Sequence, residues 1–138
     1  MEYDLDRFVA AQAPMYESVL AELRAGRKRS HWMWFIFPQV AGLGLSEISR
    51  RFAIESPDEA RAYLADPLLG ARLRECAALV VASGAPTAEQ IFGPVDERKL
   101  RSSMTLFHRA APREPIFGQV LKRYFDGVPD EATDKLLG

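Results

Sequence analysis

The sequence predicts an all-α fold, a compact multihelical single domain of short helices over residues 1–138 with little or no β-sheet. Three features predict it. Apolar residues recur at the helical spacing i, i+3, i+4, i+7 through most of the chain. Proline, glycine and capping residues cut that pattern into short pieces. Apolar and polar residues do not alternate, and no Asn-Gly or Asp-Gly turn joins two alternating runs.

The elements follow in order. Leu5, Phe8, Val9 and Gln12 share one helical face. Pro14 interrupts, and Tyr16, Val19, Leu20 and Leu23 repeat the spacing, which predicts two helices or one kinked helix ending at Gly26. Ser56-Pro57-Asp58-Glu59 is a helix start: Ser56 caps, Pro57 suits the first helical position and Glu59 completes a capping box. That helix turns Ala60, Tyr63 and Leu64 inward and stops before Pro67. Leu69, Leu73, Cys76 and Val80 form the next stripe, closed by Gly84 and Pro86. Thr87 to Gln90 repeats the capping-box pattern and opens a short helix ending at Gly93-Pro94. Asp96 then caps a helix carrying Leu100, Met104 and Phe107. Pro115 starts another, with Phe117, Val120, Leu121 and Tyr124 inward and Gly127 at its end, and Asp130 caps a last helix through Leu137. Phe35-Ile36-Phe37 is ambiguous, fitting a short strand or a helical turn.

Composition narrows the function classes. The length fits one domain, and a chain of this size buries roughly 68% of its unfolded surface. The 18 Lys+Arg against 19 Asp+Glu, a net charge of -1, argue against extensive phosphate neutralisation, so nucleic acid is not the expected partner. One cysteine excludes a disulfide scaffold and a thiolate-rich zinc site. Cys76 lies on an apolar stripe and reads as a buried structural thiol. The two histidines, His31 and His108, are in no HExxH arrangement, so neither a metal nor a cofactor is predicted. The N-terminal MEYDLDRFVA is acidic and amphipathic, and the longest apolar run, Trp32 to Phe37, is far shorter than the roughly 20 residues that span a bilayer. A cytoplasmic protein without a membrane partner is the expectation.

One stretch breaks the even composition. Arg24, Arg27, Lys28 and Arg29 put four positive charges in six residues, and His31 and both tryptophans, Trp32 and Trp34, follow at once. Gln39 comes next, and Gly42 and Gly44 precede Ser46, which can cap a helix carrying Ile48 and Phe52. This mixture suits an anionic, partly planar ligand. Cations neutralise phosphate or carboxylate, an indole stacks on a ring, glycines admit close backbone approach, and a helix N-terminus offers free N–H groups. The same residues also have a plain structural reading, as a solvated helix end followed by core aromatics and a turn. The full dinucleotide fingerprint fails because position 47 is Glu47. His31 is the acid–base candidate, since adjacent cations favour its neutral, proton-accepting form. Farther on, Lys99 and Ser103 are spaced i, i+4, which permits a Lys–Ser pair; Lys99 can equally pair with Asp96.

The segment HWMWFIFPQVAGLGLS resembles the family catalogued as domain of unknown function 1810, whose members carry an HWMW(F/Y)-x-FPQ-x-x-GLG-x-S core. The match runs from His31 to Gln39 and through Gly42, Leu43, Gly44 and Ser46. It extends to Phe8 and Ala11-Gln12, the Ala60, Tyr63 and Leu64 step, Pro67 with Gly70, Arg72 and Leu73, and Ile91-Phe92-Gly93 with Asp96. Lys99-Leu100 and Ser102 to Phe107 complete it, so nearly the whole chain is covered. Asp66 stands where relatives often have histidine, a departure that bears on any role the resemblance would assign to a histidine there. The resemblance implies a mainly α-helical structure and no established activity. Some members bear a calpastatin label, but calpastatin inhibitory segments are disordered repeats, unlike this unrepeated chain.

Two functions are compatible with these features. In the first, the protein binds or acts on an anionic nucleotide-like small molecule. Arg27, Lys28 and Arg29 contact charge, Trp32 or Trp34 stacks, Gln39 orients, the Gly42–Ser46 turn cradles the anion, and His31 serves as base. In the second, the basic-aromatic patch is a non-catalytic docking surface for a protein partner, since Trp and Arg are favoured anchors.

Overall fold

The computed structural model describes residues 3–138. Met1 and Glu2, the start of the acidic N-terminal stretch, lie outside the described residues. The helices are α1 (Asp6–Gln12), α2 (Tyr16–Arg24), α3 (Met33–Ile36), α4 (Glu47–Arg51), α5 (Pro57–Ala65), α6 (Leu69–Ala82), α7 (Ala88–Ala110), α8 (Pro115–Phe125) and α9 (Glu131–Leu137). The all-α expectation holds. Pro14 separates α1 from α2 as two helices, and the ambiguous Phe35-Ile36-Phe37 run resolves as the end of the single helical turn α3. Among the described residues the one β feature is an isolated parallel bridge between Val40 and Ile54.

Local chemistry sets most boundaries. The side chains of Ser46, Ser56, Thr87 and Asp130 each accept a hydrogen bond from the backbone three residues on, as N-caps do. Two expectations are corrected. Glu59 does not reach back to Ser56; its Oε1 accepts from the Glu55 backbone N–H at 2.7 Å, one residue earlier. Asp96 does not cap a helix. The chain breaks at Gly93, whose φ of 82° and ψ of 169° are open to glycine, and helix resumes from Pro94, placing Asp96 inside the first turn.

Helix α7 is the central element, packing against α5, α8 and α9, while α6 packs against α2, α5 and α8. A row of rings crosses this core. Phe8 meets Tyr63 edge-on at 5.1 Å, Tyr63 meets Phe107 at 5.4 Å, and Phe107 meets Phe117 at 5.8 Å. Each such pair adds about 0.5–1.5 kcal/mol beyond the area it buries. The row joins α1, α5, α7 and α8 through residues predicted as inward-facing.

Segment 33–55 lies on this core as a folded-over strip. Its two halves are tied by the Ala41 N–H to Ile54 carbonyl and the Ile54 N–H to Gln39 carbonyl, both 2.8 Å. Its far half is held by Arg7. That guanidinium donates to the carbonyls of Arg51 and Ala53, each at 2.8 Å, and pairs at 3.2 Å with Glu59, which is 2% exposed. The ion pair therefore fixes backbone 51–55 from beneath, with its buried charge satisfied by both a partner and hydrogen bonds.

Candidate functional site

The basic run and its first tryptophan form a structural knot. Glu22 on α2 accepts four hydrogen bonds: from the Arg29 and Ser30 backbone N–H groups at 2.7 and 2.9 Å, the Ser30 hydroxyl at 2.7 Å and the Trp32 indole at 3.0 Å. Burial alone raises this carboxyl, but the four donors outweigh it and hold its pKa at about 2. Trp32 is 0% exposed and packs against Phe37 and Phe92. It is enclosed on all sides, leaving no surface on which a ligand can stack.

The charges of the run divide. Arg27, Arg29 and His31 are exposed, and neither arginine side chain bonds to any described residue. Lys28 turns inward instead. Its Nζ lies 2.8 Å from Asp96 and 5.0 Å from the Trp32 ring centroid. Lys99 approaches the same carboxylate at 3.6 Å and sits 4.7 Å from the Trp34 ring centroid. Each lysine thus lies on a tryptophan and both converge on Asp96, which leaves one uncompensated positive charge beside Trp34. The Lys99–Ser103 pair is not formed: Ser103 is fully buried and its Oγ has no hydrogen-bond partner. Cys76 is buried as expected, and burial pushes its thiol up to about 12, which favours the protonated form.

Beyond α3 the chain forms a cleft of about 90 Å³, lined by Trp34, Gln39, Gly42, Gly44, Ser49, Arg50, Phe52 and Glu55 among others. Trp34 and Gln39 are half-buried and Arg50 and Glu55 are exposed. The glycines have steric reasons. Gly42 has a φ of 102°, and a Cβ there would meet Leu136 of α9 at 3.1 Å. A Cβ on Gly44 would fall 2.4 Å from the Ser49 Cβ, so the loop closes on α4 only with glycine. Ser46, exposed at the start of α4, gives its side chain to the cap and to the Ser49 hydroxyl at 2.8 Å.

The cleft therefore gathers four of the residues selected from sequence: Trp34, Gln39, Gly42 and Gly44. Lys99 covers one face of Trp34, and Ser46 lies one turn before Ser49. Arg27, Lys28, Arg29, His31, Trp32 and Ser103 do not line it. Sequence reading missed Ser49, Arg50, Phe52 and Glu55. Arg50 follows the Ser46 cap by one helical turn and Glu55 directly precedes the Ser56 cap; the closure of the Gly44 loop on α4 and the pairing of Ile54 with Gln39 and Ala41 bring their segment beside Trp34. No group of three or more His, Cys, Asp or Glu side chains among the described residues is placed to hold a metal. No described helix is long and apolar enough to cross a membrane.

The comparisons agree with the resemblance read from the motif. The chain is similar to a conserved hypothetical protein of Mycobacterium tuberculosis known from its crystal structure, at 54% identity, with a TM-score of 0.96 over 98% of this chain and 96% of that one. No curated protein matches. The family model described as protein of unknown function (DUF1810) matches residues 2–137, and the chain belongs to that family.

Proposed function

We propose that the protein binds a small anionic molecule with a planar or apolar part in the cleft beside Trp34. The observation carrying this is that one concavity is lined by the half-buried Trp34 and Gln39 together with Arg50, whose side chain forms no ion pair among the described residues. Trp34 supplies a stacking surface, Gln39 orients through its amide, and Arg50 meets the anion. Size refines the nucleotide-like expectation. The cleft is well below the roughly 300–1,000 Å³ of pockets that enclose drug-sized ligands, so a single ring or polar head enters and the remainder lies on the rim. His31 stands outside the cleft, so the reading is one of binding; a base acting there would be Glu55.

Calorimetry and thermal shift across mononucleotides and smaller ring-bearing anions test this, with fluorescence read in a Trp32→Phe background where Trp34 is the sole tryptophan. Saturable quenching is expected, together with loss of calorimetric binding in Trp34→Ala and Arg50→Ala. Absence of any binder, or binding unchanged in both variants, overturns it.

Leu45 and Ile48, 79% and 37% exposed and three residues apart around the start of α4, favour the second reading, a non-catalytic docking surface for a protein partner. A partner recovered stoichiometrically with the wild-type chain and lost with Leu45→Ser supports it; recovery unaffected by the substitution opposes it.

A further inference from the structure

Four charged side chains of the strip, Glu47, Arg50, Arg51 and Glu55, form no ion pair among the described residues, and two of them, Arg50 and Glu55, line the cleft. Arg7 pairs with Glu59, and Lys28 and Lys99 with Asp96. Arg50 and Glu55, of opposite sign, both line the cleft, yet neither side chain pairs with the other or with any other described residue. They also share, with Ala53, the rim between this cleft and the groove over Arg7.

We propose that the cleft takes a zwitterion, a ligand with a carboxylate and an ammonium group on a small apolar or flat body, the class of free α-amino acids. This rests on the reading that the cleft binds a small molecule, and names its class. Glu55 is the reason to go beyond an anion: a phosphate dianion brought to Arg50 would also lie beside a carboxylate, which repels it. A zwitterion presents its carboxylate to Arg50 and its ammonium to Glu55, while Trp34 and Phe52 face its side group. The backbone next to both charges is also held in place. The Arg51 and Ala53 carbonyls are bound by Arg7, the Glu55 N–H is bound by Glu59, and Ile54 is bridged to Gln39 and Ala41. The backbone carrying both charges is thus fixed before a ligand arrives, which lowers the ordering cost of binding. The cleft volume of about 90 Å³ suits a head group of this size better than a sugar phosphate.

The test is calorimetry on the full chain after a thermal-shift survey of the standard free L-amino acids, followed by the N-acetyl and carboxamide forms of the best binder and by adenosine monophosphate. Each blocked form is expected to bind about tenfold or more weakly, one charge-assisted contact being lost. Glu55→Gln should weaken the free amino acid while leaving its N-acetyl form unchanged, and as an exposed residue it should leave the melting temperature unchanged. No amino acid binding, or N-acetyl and free forms binding equally, overturns the zwitterion. If adenosine monophosphate then binds and is lost in Trp34→Ala, the small-molecule reading survives; if no probe binds, both readings fall.

Discussion

Trp32 and Trp34 are two residues apart and have opposite fates. Trp32 is sealed in the core with its indole N–H on Glu22, whereas Trp34 is half-buried, carries Lys99 on one face and lines the cleft. Residues at i and i+2 of a helical turn point about 200° apart, so one turn sends one indole to each side. The surrounding polar groups divide in the same way. Around Trp32 both carboxylate oxygens of Glu22 accept local hydrogen bonds, while around Trp34 the charges of Arg50 and Glu55 are left without partners. The contrast separates a region closed on itself from one left open to solvent, within a single short motif.

The sharpest test of this contrast is Trp32→Ala against Trp34→Ala. Removing the buried indole should cost about 4 kcal/mol, because a large cavity forms and Glu22 loses a donor. Removing Trp34 should cost about 1 kcal/mol and abolish binding in the cleft instead. Urea denaturation of both variants measures it, and equal losses would break the distinction.

Next comes Glu59→Ala, on the support beneath the cleft. It leaves Arg7 without its ion-pair partner and frees the Glu55 N–H. Truncating one member of a buried pair costs about 3 kcal/mol at the lower end of the usual range, which is appropriate since Arg7 is 15% exposed. Ligand affinity should fall with stability here, because the backbone carrying Arg50 and Glu55 loosens. Parallel calorimetry and urea curves check both. A variant that loses stability but keeps full affinity would show that the clamp does not organise the cleft.

Glu22 gives a smaller, pH-resolved effect on the structural side. Its carboxyl is held at about 2 against an ordinary 4.5. A depressed carboxyl stabilises the fold fully above the ordinary value and loses that contribution as pH falls toward about 2. Because the group is only half-buried, the contribution is about 1 kcal/mol. Glu22→Gln should therefore lie about 1 kcal/mol below the wild type at neutral pH, with the gap closing between pH 4.5 and 2 in urea titrations. A gap independent of pH would mean that shape rather than charge holds the knot.

The sequence was most informative where one local rule decided the outcome. Ser56 before Pro57, Thr87, Asp130 and Pro115 each mark a helix start because a cap or a fixed φ acts within a few residues. Reading was weakest where two remote segments compete for one side chain. Asp96 has the spacing of a cap, but Pro94 starts the helix and frees the carboxylate for Lys28, 68 positions away in sequence terms that periodicity does not register. The site divides likewise. Trp34, Gln39, Gly42 and Gly44 were legible as one motif, whereas Arg50 and Glu55 join it through the Gly44–Ser49 contact and the Val40–Ile54 bridge, which no alternation announces.

The smallest expected effect bears most directly on the basic run, the feature that first set this segment apart. Arg27 and Arg29 are exposed, and what the fold takes from the run is backbone: the Arg27 N–H reaches the Glu22 carbonyl at 3.0 Å and the Arg29 N–H reaches the Glu22 carboxylate. Replacing both side chains with alanine leaves those bonds in place. The double variant should change stability by less than about 0.5 kcal/mol and leave affinity in the cleft unaltered beyond a weak salt-dependent shift, since neither arginine lines the cleft and salt screens exposed charges that make no direct contact. Calorimetry at two salt concentrations measures this. A large loss of affinity that persists at high salt would place the arginine side chains in direct contact with the ligand, and would move the binding region from the Trp34 side of the motif to the Trp32 side.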